Sequence, residues 1–302
     1  MGLAVGVDRL AVGTAHQIHE FRNIPAVCQK LEPAGKHDAC FIPRRTHNTG
    51  DIQIHEMAYD GDKLWFVNTA FSCWCTHDPD HSFVPHWRPK FVSAYTPDDR
   101  CHVNGLCCVE GKPRWVTALG ETDTSGGWRE NKKDGGILID VDSNEIIARQ
   151  LSMPHSPRFH NGKLWVLESG RGGIGFVDLN TGKYEMIAQL DGFTRGLDFI
   201  GNVAFIGLSQ VRESATFSGL EITERLSEAE RTCGIWAVDI TNGQTIGFVQ
   251  FEDAVQEIFG VSLMHGSLYP DLINDNLELM AGSYVLPDEA LRDVPSELRS
   301  LR

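Results

Sequence analysis

The phrase His155-Ser-Pro-Arg-Phe-His-Asn-Gly-Lys-Leu-Trp-Val-Leu-Glu-Ser169 recurs in degraded copies, and this recurrence limits the fold more than any other feature of the chain. Copies begin at Ile54, Asn104 and Arg195, and residues from Met1 to Val12 continue the same phrase from its middle. Anchoring each copy on the residue after its Gly-containing turn aligns Ala11, Trp65, Trp115, Trp165 and Phe205, at intervals of 54, 50, 50 and 40 residues. Periods of this length, with several short strands in each, are the signature of a β-propeller, where every repeat is one four-stranded blade.

A second segment repeats in step with the first. Gly136-Ile-Leu-Ile-Asp140, Gly175-Phe-Val-Asp178 and Ile235-Trp-Ala-Val-Asp239 each lead into a polar hairpin and a fourth strand. Their aspartates are expected to hold that hairpin. Cys73-Trp-Cys-Thr76 takes the same place in the second unit. The fold expected is therefore all-β, one propeller domain over residues 1–302. Six blades are expected, with five and seven as alternatives, because Val255–Leu263 reads as a sixth first strand. The first blade is incomplete, since the chain opens inside its first strand. Loop inserts are expected at about 26–50, 121–133 and 210–232, the last with a helical stretch from Ile222 to Arg231.

Composition narrows the function classes. With 41% hydrophobic and 23% charged residues the chain reads as a soluble globular protein. A net charge of −14 argues against a nucleic-acid groove, which needs clustered Lys and Arg. No apolar run approaches a membrane span, and the N-terminus lacks the basic start of a signal peptide, so a cytoplasmic protein with no membrane partner is expected. The eight cysteines follow no disulfide spacing and read as reduced thiols. Cys73 and Cys75 would share one strand face, and a peripheral metal site with His77, His81 and His86 is a minor alternative.

The first strand of each blade lines the propeller axis, so equivalent positions converge there. Ten residues before the aromatic anchor stand His55, His155 and Arg195; an extra turn residue makes Asn104 the match in the third unit. His102 lies two residues earlier, on the same strand face by the period of two. Glu257 takes the analogous place in the last unit. Three imidazoles form a competent shell for a divalent transition metal (Fe, Cu, Mn or Zn), with His55, His102 and His155 as ligands. Arg195 suits an anionic substrate, since its planar fork binds a carboxylate through two hydrogen bonds. Asn104, Arg212 and Glu121 are further candidates for substrate binding, with Arg195 and Glu257 as candidate catalytic groups.

Several segments together resemble a known family: Arg9-Leu-Ala-Val-Gly-Thr14, Asp38-Ala-Cys-Phe-Ile-Pro-Arg-Arg45, Gly50-Asp-Ile-Gln-Ile-His-Glu-Met57, Asp78-Pro-Asp-His-Ser-Phe83, Gly120-Glu-Thr-Asp-Thr124, Met153-Pro-His-Ser-Pro-Arg158 and Phe193-Thr-Arg-Gly-Leu-Asp198. The chain resembles, over nearly its whole length, a bacterial family of propeller-like conserved proteins of unknown function. The resemblance implies the fold, and relatives that extend further upstream; it implies no activity. The functional expectation is a metal-dependent enzyme of lyase, isomerase or oxidoreductase type acting on a small carboxylate-bearing substrate. The alternatives are a binding module whose channel mouth takes a small anion or a peptide, and a scaffold that contacts partners through the 210–232 insert.

Overall fold

Five β-sheets radiate from one axis in the computed structural model, which describes residues 1–210 and 219–296. Blade 1 holds β1 (Leu3–Val5), β2 (Arg9–Gly13), β3 (Gln17–Asn23) and β4 (Ala39–Asn48). Blade 2 holds β5 (Ile54–Asp60), β6 (Lys63–Asn68), β7 (Cys73–Thr76) and β8 (Val84–Trp87). Blade 3 follows with β9 (Val103–Val109), β10 (Lys112–Ala118), β11 (Gly136–Asp140) and β12 (Glu145–Leu151). Blade 4 is β13 (Pro154–His160), β14 (Lys163–Glu168), β15 (Gly173–Val177) and β16 (Tyr184–Gln189). Blade 5 is β17 (Phe193–Ile200), β18 (Val203–Ser209), β19 (Cys233–Asp239) and β20 (Gln244–Phe251). A last short strand, β21 (Pro270–Leu272), pairs in parallel with Ala39–Phe41 of β4.

Local chemistry accounts for this layout. Between β13 and β14 the two turn residues, Asn161 and Gly162, both have positive φ, 49° and 74°. That is the backbone of the two-residue hairpin whose twist matches the strands. Between third and fourth strands, Asp140, Asp178 and Asp239 each accept a backbone N–H two or three residues on, at 2.8–2.9 Å. These aspartates are structural, as the repeat implied.

The cores lie between blades. Trp65, Val67 and Trp74 of blade 2 pack on Val103, Val116, Ile137 and Ile139 of blade 3. Trp165 and Leu167 of blade 4 meet Leu197, Ile206 and Leu208 of blade 5 in the same way. The aromatic anchors of the repeat are therefore inter-blade packing residues.

Two expectations change. The unit expected from Val255 to Leu263 makes no strand. Its backbone is satisfied by blade 5 instead: Ile258 N–H donates to Ser209 Oγ at 2.9 Å and Leu263 N–H to Asp198 Oδ2 at 2.8 Å. Among the described residues the one strand that follows it, β21, joins blade 1 instead. The ring is thus five sheets, with this segment lying between Gly196 of β17 and Leu3 of β1. The 26–50 insert is also not all loop. Its second half is β4, whose alternation is interrupted by Pro43 at a register shift.

Candidate functional site at the head of the axial channel

Each inner strand is irregular where it reaches the channel head. Residues 55–56 of β5, 156–157 of β13 and 195–196 of β17 each fall at a register shift against the second strand, and Asn104 is skipped in the pairing of β9. An extra residue of this kind breaks strand alternation and re-aims side chains, and such bulges concentrate beside functional sites. Consequently His55 and Glu56, neighbours in sequence, both line one axial cavity.

The position two residues before the channel-head residue adds a second repeated feature. Gln53, His102 and Met153 occupy it, with φ of 53°, 54° and 52°. This left-handed backbone is uncommon for residues with a Cβ. It turns the carbonyls of Gln53 and Met153 back onto the imidazoles two residues on. His55 Nδ1 donates to Gln53 O and His155 Nδ1 to Met153 O, each at 2.9 Å. His102 is therefore not the strand-face neighbour of Asn104 that alternation suggested. It precedes β9, and its Nδ1 donates to both oxygens of Asp99, at 2.9 and 3.0 Å.

The three imidazoles do gather. Ring centres of His55 and His102 are 4.8 Å apart and edge-on, and those of His55 and His155 are 6.5 Å apart. In each neutral ring an Nδ1–H bond to an oxygen leaves the lone pair on Nε2, the tautomer that binds metals through Nε2. Burial holds the His55 pKa well below the usual imidazole value, with Arg195 and His102 adding to the effect. Among the described residues, however, no group of three or more His, Cys, Asp or Glu side chains is arranged to hold a metal ion. One physical reason is visible at His155. Its Nε2 lies 3.2 Å from Asn104 Nδ2, which also donates to Pro154 O at 3.0 Å, while Asn104 Oδ1 accepts from Thr117 Oγ1 at 2.8 Å.

Arg195 is buried, with its guanidinium 4.6 Å from the centre of the Phe259 ring. Both line the cavity together with His55, Glu56, Asn104, His155 and Arg158. Glu56 and Arg158 were not singled out in the sequence. Arg158 Nη2 sits 2.5 Å from Glu56 Oε1, and Glu56 Oε2 accepts from Leu106 N–H at 2.7 Å, joining blades 2, 3 and 4. The only signal for them was their place beside His55 and His155 in the repeated phrase. The free space, about 10 Å3, is that of one water or one ion.

The remaining candidates stand apart from this cavity. Neither Glu257 nor His102 lines it, and His102 meets the centre through its ring contact with His55. Glu121 pairs with the exposed Arg149. Arg212 lies outside the described residues. The 121–133 insert contributes instead through Trp128, whose ring is centred 4.5 Å from that of His102. Trp128 also packs with Leu119, Met153, Phe193, Leu220 and Ile222, so this insert and part of the 210–232 insert share one apolar cluster. All eight cysteines are free thiols. Cys73 Sγ and Cys75 Sγ are 3.5 Å apart and fully buried, and burial pushes the Cys75 pKa far up, so it stays a neutral thiol. His77, His81 and His86 bond to Glu20, Asp78 and Thr76 rather than to these sulfurs.

A family model matches residues 1–273, described as Domain of unknown function (DUF4915). The chain belongs to that family. No curated protein matches. Among solved structures it is similar to the computationally designed Ika8 protein, at 11% identity and a TM-score of 0.39, over 87% of this chain and 64% of that one. It is similar to a chain of a nidogen/laminin complex at 10% identity and 0.45, over 82% and 78%. It is also similar to virginiamycin B lyase from Staphylococcus aureus at 13% identity and 0.42, over 83% and 69%. The chain spans less than two thirds of the first of these, and similarity at this level carries no functional argument. Among the described residues no helix is long and apolar enough to cross a membrane.

Proposed function

We propose that the channel head is a catalytic centre in which His55, His102 and His155 hold a divalent transition metal and Arg195 binds a small carboxylate-bearing substrate. The observation that carries this reading is the shared engagement of Nδ1: each ring spends that nitrogen on an oxygen acceptor, so Nε2 is the ligating atom in all three. The 4.8 Å ring separation of His55 and His102 suits two imidazoles on one ion at a metal–nitrogen distance of about 2.0–2.1 Å, whereas His155, 6.5 Å from His55, must move inward. His155 joins the ion by exchanging its Asn104 bond. A bound metal would polarise a substrate oxygen or acidify a bound water, which serves lyase, isomerase or oxidoreductase chemistry. Arg195 then neutralises and orients the substrate carboxylate, and the apolar cluster around Trp128 limits water at the head.

A second reading, a metal-free module that binds a small anion or peptide, is favoured by one observation: the Asn104 amide already occupies Nε2 of His155. Elemental analysis of untagged protein separates the two. Stoichiometric metal that is lost in the His55→Ala, His155→Ala double variant supports the enzyme. Metal-free protein that still binds small carboxylates, and loses them in Arg195→Ala, supports the module and ends the first reading.

A further inference from the structure

The turn from Asp99 to His102 carries more structure than a loop between blades needs. Asp99 and His102 both have positive φ, 48° and 54°, a conformation that costs a residue with a Cβ and recurs where function holds it in place. The Asp99 side chain is buried, and both carboxylate oxygens reach the His102 Nδ1–H, Oδ1 at 2.9 Å and Oδ2 at 3.0 Å. Oδ2 takes Trp128 Nε1–H at 2.9 Å and Arg129 Nη2 at 3.4 Å, both from the surface insert. Trp128 in turn lies against the His102 ring.

We propose that Asp99 is the positioning residue of the channel-head centre: clamped by Trp128 and Arg129, it locks His102 in the Nδ1–H tautomer so that the lone pair stays on Nε2. The inference rests on the reading of the channel head as a functional centre. It also gives the 121–133 insert a role, since its two donors hold Oδ2 and so fix the plane of the carboxylate against the imidazole. An acceptor-only group is required here. In Asp99→Asn the two insert donors retain the amide oxygen on their side, which turns the NH2 toward His102 Nδ1. An Nδ1–H would then face N–H groups at the 2.9 Å position, so the ring is expected to accept there and to carry its proton on Nε2. Groups behind a ligating histidine commonly change metal affinity by about 10–100-fold.

The test uses 15N-histidine-labelled full-length protein at one fixed alkaline pH, where long-range nitrogen–proton spectra read the tautomer of each ring. Wild type and Asp99→Glu are expected to show His102 protonated at Nδ1, and Asp99→Asn at Nε2, with His55 and His155 unchanged. Zinc binding by calorimetry is expected to weaken about 10–100-fold in Asp99→Asn and to recover largely in Asp99→Glu. Wild-type His102 protonated at Nε2, or an unchanged tautomer in folded Asp99→Asn, overturns the proposal. Should Asp99→Asn not fold, the wild-type tautomer and its shift in Trp128→Phe, Arg129→Ala decide the matter. A tautomer switch in protein that binds no zinc leaves Asp99 as the positioning residue and removes the metal reading alone.

Discussion

Asn104 spans two blades to donate its Nδ2 to both Nε2 of His155 and the carbonyl of Pro154, while its Oδ1 accepts from Thr117. All these groups are buried. Leucine at position 104 has a similar volume and none of the partners. Asn104→Leu is expected to lower stability by about 1–3 kcal/mol, the cost of stranding buried polar groups, read as a drop in urea midpoint at constant m-value. A change below about 0.5 kcal/mol means that water replaces the amide.

Arg158 and Glu56 form a largely buried ion pair between blades 4 and 2. Removing one partner leaves the other charge stranded in low dielectric. Arg158→Met is expected to destabilise by about 3–5 kcal/mol, whereas Arg158→Met with Glu56→Gln, which keeps an acceptor for the Leu106 N–H, recovers most of that loss. A double-mutant cycle in denaturant measures the coupling, and additive losses would show that the pair is not a unit.

Phe259 lies over the Arg195 guanidinium and narrows the axial cavity to the size of a water molecule. Phe259→Ala is expected to admit small carboxylates more readily, raising their association rate several-fold in stopped-flow binding. Equal rates in both proteins would place the entry route elsewhere. The same substitution leaves His55, His102 and His155 in place, so metal content is not expected to fall.

His77 supplies a pH signal remote from the channel. Burial lowers its pKa; Glu20, 3.6 Å away, opposes the shift, and Arg45 and His47 add to it. Arg45→Ala is therefore expected to raise the His77 midpoint in an NMR titration, and Glu20→Gln to lower it. The unfolded chain binds a proton at this residue near pH 6.5 and the folded chain only below it. Stability from His77 is thus complete above pH 6.5 and is lost as pH falls toward the folded value, a slope that His77→Gln should flatten. A fall in the midpoint in Arg45→Ala, or a rise in Glu20→Gln, would disprove the assignment of causes.

The repeated phrase made the blades legible because blades 2, 3 and 4 each set one tryptophan between neighbours: Trp65, Trp115 and Trp165 are all nearly inaccessible. The convergence of His55, Asn104, His155 and Arg195 was legible for the same reason, as a consequence of circular symmetry. What periodicity could not give was side-chain direction at the bulges. Alternation placed His102 on the strand face of Asn104, but a left-handed turn before β9 brings it to His55 by another path. Glu56 and Arg158 were invisible because an alternating strand would aim them away from the axis. Asp99 had no repeat partner at all. The sixth unit failed because a first strand was read without a second to pair with it.

One carboxylate fastens the circle. Asp38, ahead of β4, accepts from Ser267 Oγ at 2.5 Å and from the backbone N–H of Tyr269 at 3.0 Å, residues more than 220 positions further along the chain. Contacts so distant in sequence form slowly, since the intervening chain must be ordered first. Closure at Asp38 is then expected late in folding. A chain stalled before it would show neighbouring molecules the bare edge of β4, an invitation to aggregate rather than to finish the ring.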